Sequence, residues 1–274
     1  MNSKPLLLFK YGGNAMTDDV LKKKVLASIC FLREKGYEVV IVHGGGPFIQ
    51  QALDDAGIAS EFIDGHRKTS TEALSHVEMA LKGKVNGSLV ALLNALGQKA
   101  VGLSGKDGQV VTARKRMHEQ QVDGKTVTVD LGQVGDVAAV DAQLLRLLLD
   151  NDYIPVMTCI AADAQGNEYN INGDMFAGHV AGALGADQYI VLTDVDGLLR
   201  DKDDPASLIS KLYLAEADQL TADGVIVGGM IPKIASCREA IAAGAKSARI
   251  INGTAPEQIA AIFENKNVGT VLLP

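Results

Sequence analysis

The sequence predicts an α/β fold, a three-layer sandwich in which helices cover both faces of a mainly parallel central sheet. Short apolar runs typical of buried strands alternate along the chain with segments that carry helix start and stop signals. Glycines gather where the first two apolar runs end. With 274 residues, 47% of them hydrophobic, the chain is long enough to bury a large core.

The first two strands each lead into a helix. The run "LLLFKYG" (residues 6–12) predicts a buried strand, and residues 17–36 predict a helix with Thr17 as its N-cap and a glycine just past its end. The second strand, "YEVVIVHGGG" (residues 37–46), ends on three glycines. Pro47 then opens the next helix, because proline suits the first helical turn.

The middle of the chain changes character twice. A long helical stretch from Ser70 to about Leu96 contains two glycines and leads into the strand "KAVGL". Residues 108–140 alternate polar with β-branched residues around "VDGK", which predicts antiparallel hairpins over one end of the sheet. The hairpins therefore interrupt an otherwise regular strand and helix alternation.

The second half resumes that alternation. The helix "DAQLLRLLLDN" precedes the strand "YIPVMTCIA" (residues 153–161), and a helix of small residues begins just after Asp174. The later segments are the strand "QYIVLTDV", the helix "MIPKIASCREAIAAGA", the strand "SARIING" and a final strand "VGTVLLP". A division into two lobes is expected near residues 174–185.

Composition and charge exclude several classes of protein. A net charge of −7 and an aromatic content of 4% disfavour a nucleic-acid binder, which needs a basic face. Cys30, Cys159 and Cys237 are odd in number and lie far apart in apolar runs, so we expect free packing thiols in a reducing cytoplasm. No run approaches the roughly 20 apolar residues of a membrane span, and no cleavable leader is visible, so we expect a soluble cytoplasmic protein.

The two glycine clusters predict a site for an anion. Gly12 and Gly13 end the first strand and residues 44–46 end the second, at the sheet edge where α/β proteins bind ligands. Such glycines let backbone N–H groups approach phosphate or carboxylate oxygens. Lys10 would supply a cation there. The alternative is two tight turns that need positive φ, and neither cluster is a P-loop or a dinucleotide fingerprint.

Seven motifs appear in an order that resembles the acetylglutamate kinases of the amino acid kinase family. They are "KYGGNAM", "VHGGGP", "DGHR", "GLSGKDG", "NINGD", "LTDVDGLL" and "GGMIPK". The resemblance covers nearly the whole chain. It implies transfer of the γ-phosphoryl group of ATP to the γ-carboxylate of N-acetyl-L-glutamate, which yields N-acetylglutamyl 5-phosphate for arginine biosynthesis.

The resemblance implies three catalytic residues. Lys10 and Lys233 match the lysines that stabilise the transferring phosphoryl group from opposite lobes, and Asp174 matches the acid that orients them. The alternatives are solvent-facing lysines and a carboxylate that only caps a helix. Mg²⁺ is expected to arrive with ATP, held by phosphate oxygens and water and not by a dedicated protein site.

The resemblance also implies two binding surfaces. The expected acyl-substrate residues are Gly45, Gly46, Arg67, Asn170 and Asn172, with a solvated loop arginine as the alternative for Arg67. The expected nucleotide residues are Gly12, Gly13, Thr193, Asp194, Val195, Gly197, Leu198, Leu199, Val225, Ile226, Val227 and Gly229. Lys106 is a further candidate for anion contact, and His43 is expected to brace the second glycine loop.

Lobe roles and assembly follow from the same resemblance. Residues 1–174 are expected to bind the acyl amino acid and to dimerise through the helix after Ser70, and residues 175–274 to bind ATP, with one sheet running through both. Arginine-inhibited relatives have an extra N-terminal helix that this sequence lacks, so we expect a homodimer with little arginine inhibition. Two other functions stay open: a kinase for a related acylated acid such as acetylaminoadipate, and a catalytically silent nucleotide sensor.

Overall fold

The computed structural model describes residues 4–122, 125–264 and 266–274. The strands are β1 (Leu6–Tyr11), β2 (Glu38–His43), β3 (Glu61–Ile63), β4 (His66–Lys68), β5 (Ala100–Ser104), β6 (Val111–Val122), β7 (Lys125–Val140), β8 (Ile154–Thr158), β9 (Ile160–Ala162), β10 (Glu168–Ile171), β11 (Gln188–Thr193), β12 (Lys211–Tyr213), β13 (Ala248–Asn252) and β14 (Thr270–Leu273). The α-helices are α1 (Asp19–Glu34), α2 (Gly46–Asp55), α3 (Thr71–Glu78), α4 (Gly87–Ala95), α5 (Gln143–Asp150), α6 (Gly173–Ala183), α7 (Leu214–Ala222), α8 (Met230–Ala242) and α9 (Pro256–Phe263).

The central sheet has eight strands in the order β12-β14-β13-β11-β1-β2-β8-β5. Its neighbouring strands run parallel except β13 and β14, which are antiparallel. The predicted mainly parallel sheet is confirmed. Because β1 pairs with β2 on one side and β11 on the other, it joins the strands of the first half of the chain to those of the second.

Side chains of β1 divide between the two faces of the sheet. Leu6 and Leu8 belong to a buried cluster that includes residues of α2, α3, α5, α6 and α8. Leu7 and Phe9 belong to a second cluster with residues of α1, α4 and α9. Helices therefore cover both faces, as the three-layer prediction requires. Since strand side chains alternate, Lys10 shares its face with Leu6 and Leu8 and points toward the α6 layer.

A second, smaller sheet closes on itself as a four-stranded barrel in the order β10-β7-β6-β9. Strands β6 and β7 form the predicted antiparallel hairpin, although Asp123 and Gly124 of its predicted turn lie outside the described residues. Strands β3 and β4 form a separate hairpin. β10 continues almost directly into α6, so the barrel lies beside the start of that helix.

The prediction of one strand over residues 153–161 is wrong. The chain leaves the central sheet after β8, and β9 pairs instead with β10 in the barrel. The break falls at Cys159, whose carbonyl oxygen accepts a hydrogen bond from Ile171 N at 3.0 Å. The apolar run is continuous because both strands are buried, so hydropathy does not mark the change of sheet.

The predicted N-cap of the first helix is displaced by one residue. Asp18, not Thr17, caps α1, and its carboxylate accepts hydrogen bonds from Val20 N at 2.8 Å and Leu21 N at 2.9 Å. A carboxylate at this position also interacts favourably with the helix dipole. The helix after Ser70 is confirmed, with Ser70 accepting a hydrogen bond from Ala73 N at 3.1 Å.

A π-helical segment, Met79–Asn86, joins α3 to α4 and was not anticipated. Its last residue, Asn86, is buried and donates a hydrogen bond from Nδ2 to Val156 O at 2.9 Å. The same amide nitrogen lies 2.9 Å from His43 Nε2. The wider helix thus places a polar side chain under the end of β2. Among the described residues, no helix combines the length and apolar character that crossing a membrane requires.

Candidate active site

Three charged side chains that lie far apart in sequence meet at the carboxyl end of β1. Lys10 Nζ lies 2.8 Å from Asp174 Oδ1, and Lys233 Nζ lies 3.5 Å from Asp174 Oδ2. Asp174 is buried, with 6% of its surface exposed, and both lysines are largely buried. One carboxylate therefore holds two ammonium groups in a fixed arrangement, which excludes the alternative of solvent-facing lysines.

The local fold explains this arrangement. Lys10 is the last but one residue of β1, while Asp174 and Lys233 each lie in the first turn of a helix, α6 and α8. Asn172 caps α6: its Oδ1 accepts hydrogen bonds from Asp174 N at 2.9 Å and Met175 N at 3.2 Å. Because Asn172 already caps the helix, the Asp174 carboxylate is left to the lysines.

The environment of Asp174 keeps it ionised. Burial raises the pKa of this carboxyl, but the positive charges of Lys10 and Lys233 outweigh burial and hold the pKa below its ordinary value. At neutral pH the cluster carries one negative and two positive charges. Such a site has excess positive charge for an anion.

A cavity of about 430 Å³, here called the larger cavity, opens on one side of Lys10. The predicted nucleotide residues that line it are Gly12, Gly13, Thr193, Asp194, Val195, Gly197, Leu198, Leu199, Val225, Val227 and Gly229. Lys233 lines it as well. Ile226 does not: its side chain is buried in the core, with 2% of its surface exposed.

Sequence reasoning missed four residues of the larger cavity, namely Leu192, Lys202, Met230 and Thr254. Leu192 and Met230 lie inside two of the quoted motifs, "LTDVDGLL" and "GGMIPK", although neither is among the predicted site residues. Lys202 lies in the acid-rich segment "RDKDDP", which is typical of a solvated loop, and Thr254 follows a strand without any motif. Nothing in the local sequence marks these last two residues as site residues.

A second cavity of about 290 Å³, the smaller cavity, also has Lys10 in its lining. Four of the predicted acyl-substrate residues line it: Gly45, Gly46, Asn170 and Asn172. Asp174 lines it too, and Lys10, Gly12 and Gly13 line both cavities. The two cavities therefore meet at Lys10.

Backbone angles separate the two interpretations of the glycine clusters. Gly13 has φ +74°, so a turn requires glycine there. Gly12, Gly44 and Gly46 lie outside the left-handed region, and Gly45, at φ 164°, is in extended backbone. A Cβ on Gly12 would lie 3.0 Å from Lys10 Nζ. A Cβ on Gly45 would lie 2.8 Å from Leu81 Cδ2, so close packing requires glycine there, whereas a Cβ on Gly44 or Gly46 would meet nothing within 4 Å.

Arg67 lies outside the linings of both cavities. Its guanidinium Nη1 donates a hydrogen bond to Gln50 Oε1 at 2.8 Å and another to Ser60 Oγ, and it stacks over the Phe62 ring at 4.4 Å. Burial lowers the pKa of Arg67 below its ordinary value. The Arg67 side chain, in the β3–β4 hairpin, is thus fixed by contacts with neighbouring side chains and is not freely solvated.

His43 braces the glycine loop, as predicted. Its Nδ1 lies 2.9 Å from Gly44 O, and its Nε2 lies 2.9 Å from Asn86 Nδ2. Burial lowers the pKa of His43 to about 4, so the ring is neutral at physiological pH. It therefore has no charge to offer an anionic substrate.

Lys106 is bound to protein carboxylates. Its Nζ lies 2.6 Å from both Glu78 Oε1 and Glu168 Oε1, which ties the end of α3 to the barrel. Cys30, Cys159 and Cys237 are free and buried, as expected. Within the described residues, no three His, Cys, Asp or Glu side chains gather as a metal site would require.

Comparison with known proteins gives two kinds of match. Residues 5–252 match the model of the amino acid kinase family. Acetylglutamate kinase of Heliobacterium modesticaldum is 45% identical to this chain over 269 residues, covering 97% of this chain and 91% of that protein. Acetylglutamate kinase of Methanococcus aeolicus is 42% identical over 267 residues, with the same two shares.

A solved structure supports the fold. The chain superposes on N-acetylglutamate synthase from Neisseria gonorrhoeae, complexed with coenzyme A and N-acetyl-glutamate, with a TM-score of 0.82 at 24% identity. The match covers 99% of this chain and 60% of that longer one. At this identity the likeness concerns the fold alone.

Proposed function

The chain belongs to the amino acid kinase family, and we propose that it transfers the γ-phosphoryl group of ATP to the γ-carboxylate of N-acetyl-L-glutamate. Relatives 45% and 42% identical over nearly the whole chain bear the name acetylglutamate kinase. One observation carries the proposal above all others. Lys10 and Lys233 converge on the buried carboxylate of Asp174 at the junction of two cavities.

The reaction requires neutralisation of negative charge on the transferring phosphoryl group and does not require proton transfer. The ordinary pKa of a γ-carboxylate is about 4.3, so the acceptor is already ionised at neutral pH and needs no general base. The transferring phosphoryl group spreads negative charge over its oxygens, and fixed cations stabilise that charge. A neutral His43 and two buried lysines suit this requirement.

We assign one substrate to each cavity. ATP occupies the larger cavity, with its γ-phosphate directed toward Lys10 and Lys233. The acyl amino acid occupies the smaller cavity, with its γ-carboxylate near the backbone N–H groups of Gly45 and Gly46. Lys10 lines both cavities, so its ammonium group lies where the phosphoryl group must cross. Asp174 orients the lysines and does not attack.

Two further side chains are assigned to the acyl substrate. Asn170 lines the smaller cavity from β10 and can bond to the acetylated amino group. Arg67, in β4, is proposed to bind the α-carboxylate, because a guanidinium can bond to both carboxylate oxygens at once. For this it must exchange its bonds to Gln50 and Ser60 for bonds to substrate.

Magnesium fits this site as part of the nucleotide substrate. Asp194 contributes a carboxylate to the larger cavity, whose other described lining residues are cationic, small or apolar. We therefore propose that Mg²⁺ enters with ATP and is held mainly by phosphate oxygens and water. When bound, it neutralises phosphate charge that the lysines do not reach.

The division of labour between two lobes stays a proposal with structural support. The smaller cavity is lined by residues between Lys10 and Asp174. The larger cavity is lined by residues 192–254, together with Lys10, Gly12 and Gly13. Residues 1–174 and 175–274 thus correspond to the proposed acyl-binding and ATP-binding lobes.

A homodimer through the helix after Ser70 is also proposed. Ser75, Met79, Gly83, Gly87 and Ala91 recur every four residues and are all exposed. A Cβ on Gly83 or Gly87 would meet nothing within 4 Å, so packing inside this chain does not require glycine at either position. Glycine in a helix interior costs about 1 kcal/mol relative to alanine. Close approach of the same helix from a second subunit would explain why glycine is present despite this loss of stability.

Sedimentation equilibrium tests the dimer. The wild-type protein should sediment as a dimer, and Gly83→Arg should sediment as a monomer at the same concentration. Gln51→Arg, on the exposed face of α2, is the matched control and should leave the dimer intact. A wild-type monomer, a ring of six subunits or an intact dimer in Gly83→Arg would contradict the proposal.

Hydroxamate trapping tests the reaction itself. Purified protein is incubated with MgATP, hydroxylamine and one of four acceptors: N-acetyl-L-glutamate, N-acetyl-L-aminoadipate, L-glutamate or L-aspartate. We expect trapped acyl phosphate with N-acetyl-L-glutamate and little with the others. A dominant product with acetylaminoadipate would reassign the substrate, and ATP binding without any product would favour the silent sensor. Fractionation of cells that express the protein should place the activity in the cytoplasm.

A further inference from the structure

A buried tyrosine connects the two helices that carry Asp174 and Lys233. Tyr189, in β11, is fully buried and lines neither cavity. Its hydroxyl donates a hydrogen bond to the backbone carbonyl of Asp174 at 3.1 Å and lies 3.2 Å from Ser236 Oγ. Ser236 Oγ in turn donates to the backbone carbonyl of Lys233 at 2.8 Å.

Two hydroxyl groups thus bridge the backbones of two site residues. Between them they have two protons for three close contacts. With Tyr189 donating to the Asp174 carbonyl, the Ser236 proton is shared between the phenol oxygen of Tyr189, which joins α8 to the tyrosine, and the Lys233 carbonyl of its own helix. A buried hydroxyl without a hydrogen-bond partner is unfavourable. Each helix is therefore held at the position where its contact with these hydroxyls is kept. The bridge lies beneath the ion pair that the two side chains form above it.

Glycines in α6 allow the helices to come this close. A Cβ on Gly178 would lie 2.5 Å from Ser236 O, and one on Gly182 would lie 2.3 Å from Ala243 Cβ. Asp174, Gly178 and Gly182 are four residues apart and share one face of the helix. The face that carries the catalytic carboxylate therefore packs directly on α8, with Tyr189 below the contact.

We propose that Tyr189 is a positioning residue that sets the spacing between Asp174 and Lys233 through the backbones of α6 and α8. It touches neither substrate in this arrangement. The inference rests on the proposed function, because it assigns Tyr189 a part in placing the phosphoryl-stabilising lysine. A small displacement of such a group affects the transition state more than it affects substrate binding.

Titration of Tyr189 does not break the bridge near neutral pH. Burial raises the pKa of the Tyr189 phenol well above its ordinary value, and the negative charge of Asp174 raises it further. The phenol therefore stays protonated and keeps donating its hydrogen bond. Loss of the bridge requires a mutation and not a change of pH.

Tyr189→Phe removes the hydroxyl and keeps the ring. We expect kcat to fall about tenfold to a hundredfold, because a misplaced catalytic group has an effect of this size. KM for both substrates and the Kd for ATP should stay within about twofold, since most of each cavity lining stays in place and the displaced groups act mainly on the transferring phosphoryl group. Ile29→Val, buried on the opposite face of the sheet, is the control for lost core stability and should leave kcat unchanged.

A double-mutant cycle separates positioning from general destabilisation. If the two hydroxyls act as one bridge, Tyr189→Phe combined with Ser236→Ala should lower kcat little more than Tyr189→Phe alone. Additive losses would contradict a shared bridge. An unchanged kcat in Tyr189→Phe, or a fall in kcat no larger than that of a control variant with the same Tm, would reject the positioning role.

Hydrogen exchange tests the bridge without any turnover. In Tyr189→Phe, the amides of the first turns of α6 should exchange faster than in the wild type, while those of α1 should not change. Unchanged exchange in α6 would overturn the inference, whatever the activity assays show. If the wild type fails to phosphorylate any acceptor but α6 loosens, the proposed function fails and the structural bridge stands.

Discussion

The two cavities that meet at Lys10 are lined by different chemical groups. The larger cavity takes side chains from strand ends, loops and the start of α8 in the second half of the chain, including Lys202, Lys233 and several apolar residues. The smaller cavity is walled largely by glycine backbone and by the segment from Asn170 to Asp174. The larger cavity thus offers a ligand cations and apolar surface, and the smaller cavity offers mainly amide dipoles.

This difference teaches how an acidic protein handles two anions. In the proposed arrangement, backbone N–H groups bind the acceptor carboxylate without adding charge, so the full positive charge is kept for the phosphoryl group at the junction. Lys10 belongs to both cavities and Lys233 to the larger one only. The comparison therefore predicts that damage to the junction affects kcat, while damage to one cavity affects one KM.

The largest effect should come from the junction. Lys10→Ala and Lys233→Ala are each expected to fold normally and to lose at least about a hundredfold in kcat, the scale of removing one preorganised donor. Lys115→Ala, which removes an exposed lysine paired with Asp130, is the matched control and should keep full activity. Steady-state kinetics and circular dichroism measure both properties. Turnover within a few fold of wild type in either lysine variant would reject the role of the junction.

Smaller and selective effects should come from the cavities. A Cβ on Gly46 would meet nothing within 4 Å, so Gly46→Ala leaves the fold intact and places a methyl group toward the acyl substrate. Its KM for N-acetyl-L-glutamate should rise about tenfold at constant KM for ATP, because about 1.4 kcal/mol of lost binding is a tenfold change in affinity. Lys202→Ala should instead raise the KM for ATP at constant KM for N-acetyl-L-glutamate. Equal changes in both KM values would show that the cavities are not separate.

Acid stability should distinguish the buried carboxylate from exposed ones. The pKa of Asp174 is lower in the folded protein than in the unfolded chain, so its ionisation stabilises the fold above the unfolded pKa of about 3.9. That contribution is lost as pH falls through the lower, folded pKa. Urea unfolding from pH 6 to pH 3 should show a steeper loss of stability in wild type than in Asp174→Asn. Parallel curves would contradict the assignment.

The smallest effect concerns pH and turnover. Because burial lowers the pKa of His43 to about 4 and the acceptor carboxylate needs no base, kcat should vary less than about threefold between pH 6 and pH 8. His43→Gln should keep this flat profile even if its kcat is reduced. A step in kcat with a midpoint near pH 6.5 that disappears in His43→Gln would reveal a catalytic histidine.

Much of the site could be predicted because its residues differ from those that a buried strand normally contains. Lys10 interrupts a buried apolar strand and Gly44, Gly45 and Gly46 end another, so each departs from what its own element needs. The structure separates their reasons: a Cβ on Gly45 would lie 2.8 Å from Leu81 Cδ2, whereas a Cβ on Gly44 or Gly46 would meet nothing within 4 Å. Local conflict between a residue and its element is therefore visible in sequence.

The rest depends on contacts that no local pattern encodes. Tyr189 looks like one more residue of a buried strand, and its hydroxyl acquires partners only when α6 and α8 cross above it. Cys159 lies in a continuous apolar run, yet the chain changes sheets there. Asn86 becomes a core residue through a π-helical segment that composition does not announce. These are tertiary effects, and sequence spacing is silent on them.

The most direct test of the central claim is a crystal structure with ADP, aluminium fluoride, Mg²⁺ and N-acetyl-L-glutamate. The planar aluminium fluoride, called the fluoride group below, mimics the transferring phosphoryl group. We predict that it lies between the two cavities, with Lys10 Nζ and Lys233 Nζ each within hydrogen-bonding distance of it and with the Asp174 carboxylate held by the lysines. A fluoride group bound elsewhere, or either ammonium group turned away from it, would contradict the account.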